Sequence, residues 1–178
     1  MRKSDARRQR RDHWCGPATI QMIDGADDRG FNSQRSWARE LGTVQAGTSI
    51  GQMKRAMNRK TRWFNVSVVS VANWGTSRFY RAVSSRIGYL QAPFIQHPTL
   101  DEDLHPYLSA DGHNYGGHLQ AGRGFTKRGK KRKLHLLEPF NEPDWTSYTA
   151  KTSGPRKISM KSALRANKQN RSFKNIAY

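Results

Sequence analysis

The chain has 178 residues, of which 35% are hydrophobic, and carries a formal net charge of +19 at pH 7. That length suits one domain, but so small an apolar share excludes a core running through the whole chain. No run of 18 apolar residues occurs, which argues against a membrane-spanning helix, and a single cysteine rules out an intrachain disulfide framework.

The charge is unevenly spread. Residues 1–12 carry six Lys/Arg and two Asp, residues 123–133 seven Lys/Arg and no acid, and residues 151–178 eight Lys/Arg and no acid. These three segments hold the whole excess, and the remainder is neutral. The pattern reads as a basic arm (1–12), a neutral domain (13–150) with one basic loop, and a basic C-terminal tail (151–178). Such runs bind polyanions (nucleic acid, anionic membrane, an acidic partner) or remain solvated and disordered. Composition does not separate the two. The opening MRKSDARRQRRD lacks the apolar stretch of a secretory signal. A cytoplasmic or particle-associated protein is therefore expected.

In chain order, a helix is expected from Cys15, with Pro17 in its first turn and Ala18, Met22 and Ile23 near helical spacing. Gly25 ends it. A second helix fits 33–41, with Trp37 and Leu41 at i,i+4 and Gly42 as the stop. A third fits 49–59, capped by Thr48 or Ser49, with Ile50, Met53 and Met57 as its apolar face. The stretch WFNVSVVSV, 63–71, is β-branched and aromatic and reads as a strand. Phe79, Val83 and Ile87 recur at i, i+4 and i+8, so SRFYRAVSSRIG reads as a helix. A short strand follows at 92–96. Residues 97–116 hold Pro98, Pro106, Gly112 and Gly116 and read as a long loop. HLQAGRGF and KLHLLEPF read as two strands joined by the basic loop. Beyond Pro143 only an irregular stretch and a weak helix near 159–166 are expected. Helices followed by strands point to an α+β fold with helices packed on an antiparallel sheet.

One segment invites chemistry. Cys15 opens a helix, where unpaired N–H groups favour a thiolate, and Gly16 leaves the approach to sulfur open. A cysteine nucleophile needs a base, a group that orients the base, and oxyanion donors. From its position alone, a free cysteine is more often a small buried residue. His118 opens a strand behind two glycines, but composition does not choose it over His13, His97, His105, His113 or His135. Glu138 ends the strand LHLLE before Pro139, a place from which a carboxylate can orient a histidine on a neighbouring strand.

Four stretches in order carry a resemblance. Gln9 lies six residues before Cys15-Gly16-Pro17-Ala18. LGTVQAGTS follows at 41–49, then GGHLQAGRGF, then LLEP. Together they resemble the papain-like bacteriocin-processing peptidases, cysteine peptidase family thirty-nine and its relatives, over roughly residues 9–145. The resemblance implies a papain-like fold and a thiol hydrolase, peptidase or amidase, working through an acyl-enzyme without a cofactor. It implies Cys15 as nucleophile, His118 as base and later acid, and Glu138 as the group that orients His118. Gln9 would donate its side-chain amide to the oxyanion beside the Cys15 N–H. The family has Asp, sometimes Asn, where this chain has Glu138. The extra methylene changes reach, and Asn141 or Asp144 are the alternatives.

Two rival readings remain. His97, His105, His113 and His118 with Asp101, Asp103 and Asp111 contain metal-ligand types, but no HExxH or CxxC spacing. Alternatively, the chain is a nucleic-acid-binding or particle-associated structural protein on a papain-like scaffold. Its basic segments would then neutralise phosphates, and Trp145, Tyr148 and Phe173 would stack on bases.

Overall fold

The computed structural model describes residues 1–26, 32–61, 65–89, 92, 94–100, 115–126, 132–144, 151–170 and 174–178. Three helices come first: α1 (Cys15–Asp24), α2 (Gln34–Leu41) and α3 (Ile50–Lys60). Their ends follow local chemistry. The hydroxyls of Ser33 and Ser49 accept the backbone N–H groups of Ser36 and Gln52 at 3.1 and 3.2 Å, capping α2 and α3. Gln52 closes a capping box by accepting the Ser49 N–H at 2.6 Å. Gly42 takes the left-handed φ of 63° that stops α2. Every residue of α1 is buried.

The remaining elements build a six-stranded antiparallel sheet and its second cover. The strands are β1 (Val68–Ser70), β2 (Phe94–Gln96), β5 (Gln120–Thr126), β6 (Lys133–Glu138), β7 (Gly154–Ser159) and β8 (Asn175–Ala177), in the order β1-β8-β2-β5-β6-β7. A separate pair joins β3 (Thr99–Leu100) to β4 (Tyr115–Gly117). Helix α4 (Thr76–Val83) runs into a π-helical turn over Ser84–Tyr89, and α5 (Met160–Gln169) follows β7.

Strand alternation divides the core between the two sheet faces. On one face Ile95, Ala121, Leu137 and Ala177 pack with Ile20 and Ile23 of α1 and Met53 and Met57 of α3. On the other, Phe94, Leu134, Leu136 and Ile176 pack with Phe79 and Val83 of α4 and Met160, Ala163 and Leu164 of α5. Each of the larger side chains (Leu, Ile, Val, Phe, Met), fully buried, contributes roughly 1.5–3 kcal/mol. The result is helix, sheet, helix, the expected α+β architecture with a second helical layer.

Five expectations need correction. Residues 151–178 are not a solvated tail: β7, α5 and β8 lie there, and β8 sits inside the sheet between β1 and β2. Their basic residues point outward. Lys157, Lys161 and Arg165 are exposed while Ile158, Met160, Ala163, Leu164, Ile176 and Ala177 are buried. Charge on the edge strand β7 also guards its open ladder. The arm 1–12 is held rather than loose, with Gln9 buried and its N–H donating to Pro139 O at 2.8 Å. The loop 97–116 contains β3 and β4; residues 101–114 lie outside the described part. Of the strand expected at 63–71, residues 63 and 64 lie outside the described part, and among the described ones Val68–Ser70 form the strand, where β8 supplies a partner. Of the basic loop 123–133, residues 123–126 and 133 belong to β5 and β6, and 127–131 lie outside the described part.

Candidate active site

Cys15 is the first residue of α1, and it retains 9% of its exposure. No side chain caps this helix start. Uncapped N–H groups at a helix start favour negative charge near them. Gly16 is required by packing. A Cβ there would lie 2.5 Å from Thr48 Cβ and 2.6 Å from its hydroxyl. That close approach seats the helix start against the Gly-Thr-Ser stretch, and Thr48 shares a 2.8 Å hydrogen bond with Thr43.

His118 lies just ahead of β5, with its N–H on Pro98 O at 2.9 Å. The next residue is tied to α1, since Thr19 Oγ1 donates to Leu119 O at 2.8 Å. The His118 ring is buried. Its Nε2 meets Glu138 Oε1 at 2.6 Å, and Cys15 lies close enough to favour its protonation. Burial pulls the imidazole toward its neutral form. The Glu138 charge, the nearness of Cys15 and the Glu138 hydrogen bond outweigh that, and the pKa rises to about 10. His118 is thus an imidazolium at neutral pH. Nearby His97 goes the other way: burial lowers it, its hydrogen bond to Asn175 partly offsets this, and the His118 charge lowers it further.

Glu138 is fully buried at the end of β6. Its Oε1 also accepts the Phe140 N–H at 2.8 Å, and its Oε2 accepts from Gln120 Nε2. The longer glutamate side chain is thus fixed at both oxygens. The alternative orienters are engaged elsewhere: Asn141 Nδ2 donates to Asp144 Oδ1 at 2.9 Å, and Asp144 pairs with Arg8 at 3.0 Å.

The other described histidines have different partners. His13 bonds Asp12 at 2.6 Å, His97 bonds Asn175 at 3.1 Å and His135 bonds Thr126 at 2.8 Å. His105 and His113 lie outside the described residues, as do Asp101, Asp103 and Asp111 of the metal reading. Among the described residues no cluster of three or more His, Cys, Asp or Glu could hold a metal, and no helix is long and apolar enough to cross a membrane. Trp145, Tyr148 and Phe173 also lie outside the described part.

Gln9 is buried, with its N–H on Pro139 O, and has an unexpected set of side-chain partners. Its Nε2 donates to Arg11 O at 2.9 Å and Asp12 O at 2.8 Å, while its buried Oε1 has no partner among the described residues. Two carbonyls can take both protons of that amide.

Sequence reasoning passed over Gln96, Gln120 and Asn167, which lie fully buried behind Glu138. A readable signal existed: Gln96 and Gln120 stand at strand ends next to the apolar Ile95, Leu119 and Ala121, where a buried amide needs a polar partner.

No family model and no curated protein sequence matches the chain. Among solved structures it is similar to the peptidase domain of Streptococcus ComA, a bi-functional ABC transporter involved in a quorum-sensing pathway. The TM-score is 0.56 at 14% sequence identity, over 97% of this chain and 93% of that one. The fold is that of a papain-like peptidase domain. At this identity the likeness concerns the fold.

Proposed function

We propose that the chain is a cysteine peptidase or amidase whose catalytic residues are Cys15, His118 and Glu138. The observation that carries the reading is the buried His118 side chain, hydrogen-bonded to a buried carboxylate and near the chain's single cysteine. Likeness to a peptidase domain supports it.

In this reading the proton of Cys15 already resides on His118, and the sulfur attacks a peptide or amide carbonyl carbon. The C–S bond forms as the carbonyl π pair moves onto oxygen. The N–H groups opening α1 stabilise that oxyanion. The oxygen pair then returns, the C–N bond breaks, and His118 protonates the departing amine. Water, deprotonated by His118, cleaves the thioester and restores the thiol. Glu138 stays ionised throughout and holds the ring. For Gln9 to donate to the oxyanion, one of its bonds to Arg11 O or Asp12 O must exchange for the substrate oxygen. Labelling with an electrophilic thiol probe tests the reading. Wild type is expected to react much faster than His118→Ala at pH 7, whereas equal, slow labelling of both means an inert thiol.

One observation favours a second, compatible role in binding a phosphate polymer such as nucleic acid. A cleft of about 440 Å³ is lined by Lys3, Arg7, Arg8 and Lys151, with Ser153 at its wall. The backbones carrying these cations are fixed: Gln34 Nε2 binds Arg8 O at 2.8 Å, and Arg156 Nε binds Thr152 O at 2.8 Å. Binding of fluorescent single-stranded DNA should weaken with salt. It should weaken far more on replacing Lys3, Arg7 and Lys151 by Ala than on replacing Lys54, Lys133 and Lys161. Equal losses would reduce the role to bulk charge.

A further inference from the structure

Gln96, Gln120 and Glu138 form one row across three adjacent strands. Gln96 and Gln120 are cross-strand partners between β2 and β5. Ala121 faces Leu137 in the next pair of strands, which places Gln120 beside Glu138. The row shares the sheet face of Phe94 and Leu136, which α5 covers, and α5 contributes Asn167. All four side chains are fully buried.

The hydrogen bonds run in one direction. Asn167 Nδ2 donates to Gln96 Oε1 at 3.2 Å, Gln96 Nε2 donates to Gln120 Oε1, and Gln120 Nε2 donates to Glu138 Oε2. This polarity is fixed independently at both ends. An ionised Glu138 only accepts, so Gln120 must turn its NH2 toward it, and each preceding amide must follow. At the far end the His97 backbone N–H only donates, and it reaches Asn167 Oδ1 at 2.8 Å, which forces the same orientation. Amides aligned head to tail polarise one another, and every donor end here points at the carboxylate.

We propose that Gln120, backed by Gln96 and by Asn167 of α5, is a positioning residue that fixes Glu138 and through it the His118 ring. The inference rests on the catalytic reading above for its functional meaning. Gln120 supplies the anchor that a longer glutamate needs in place of aspartate, since it holds the oxygen that His118 and Phe140 leave open. It also makes the C-terminal helix part of the site's support. The titratable groups facing the pair are Cys15 from α1 and His97 from the segment after β2.

The test compares Gln120→Met, which keeps the length without the donor, with wild type in the full chain. Cys15 alkylation is followed from acid to alkaline pH, and the low-field proton of the His118–Glu138 hydrogen bond is followed by NMR over the same range. Gln120→Met is expected to alkylate about tenfold more slowly at pH 7 and to lose the low-field proton at lower pH than wild type. Gln96→Met and Asn167→Ala should move both readouts the same way, and Gln120→Met combined with Gln96→Met should add little to Gln120→Met alone. Ile158→Val, on the same sheet face but outside the row, should lower stability and leave both profiles in place. Unchanged profiles in Gln120→Met overturn the proposal, as does an equal displacement in Ile158→Val. If Gln120→Met does not fold, Asn167→Ala decides by the same criteria. A proton that responds to Gln120 in a protein whose labelling ignores His118→Ala would sink the catalytic reading and leave the positioning intact.

Discussion

Glu138→Gln removes a charge and keeps the shape, at a carboxylate with no exposure and three donors: His118 Nε2 at 2.6 Å, the Phe140 N–H at 2.8 Å and Gln120 Nε2. The new amide nitrogen must face one of those donors, and His118 loses its counter-charge. Breaking a buried ion pair by removing one partner costs about 3–5 kcal/mol. For a chain of this size that is a fall in Tm of about 6–20 °C. The pH dependence is more diagnostic than the size. His118 titrates near 10 when folded against an ordinary 6.5. A raised folded value means that its stabilisation is whole below pH 6.5 and is lost as pH climbs through about 10. In Glu138→Gln the principal raising influence is gone, and burial leaves the ring neutral. The stability gap between wild type and variant should therefore be greatest near pH 6 and shrink steadily from pH 6.5 to about 10. Urea unfolding of both proteins across that range measures it. A gap that stays constant with pH would show that His118 is not charged in the folded state, and would refute the ion-pair account.

Gly16→Ala places a methyl 2.5 Å from Thr48 Cβ. Overpacking of this kind costs about 1–3 kcal/mol, and calorimetry should show Thr48→Gly restoring part of the loss. Gly122→Ala meets the Phe94 ring at 2.6 Å on the neighbouring strand, and a similar loss is expected in thermal unfolding. A chain ending at Asn170 lacks β8, leaving β1 without its partner strand and β2 with one open edge. Circular dichroism should find it largely unfolded; a stable, cooperative fold would contradict a structural role for the last strand.

The helical half of the molecule was legible because its signals are local. Ser33, Gly42 and Ser49 mark helix ends by their own chemistry, and Met53 and Met57 mark a buried face. Cys15, His118 and Glu138 were legible through ordered motifs, and the structure brings the three together. Residues 151–178 were misread because a run of eight cations outweighed a quieter period. Met160, Ala163, Leu164 and Asn167 do recur at helical spacing, but alanine and asparagine add little to an apolar stripe. The place of β8 inside the sheet has no local signature, since its partners at Val68–Ser70 and Phe94–Gln96 lie far away in sequence. Gln120 stayed hidden for a related reason: what makes it significant is a carboxylate on another strand.

The insertion of β8 also orders events in time. Its partner β1 lies more than a hundred residues earlier, at Val68–Ser70. Closing so long a loop is costly before contacts compensate, and pairings of this kind are slow. The β5–β6 hairpin, which carries His118 just ahead of it and Glu138 at its end, can zip early from nearby residues. Its sheet neighbours and the helix that bears Asn167 dock afterwards. His118 and Glu138 thus come together before the scaffold that aligns them is complete, and the final strand works as a latch.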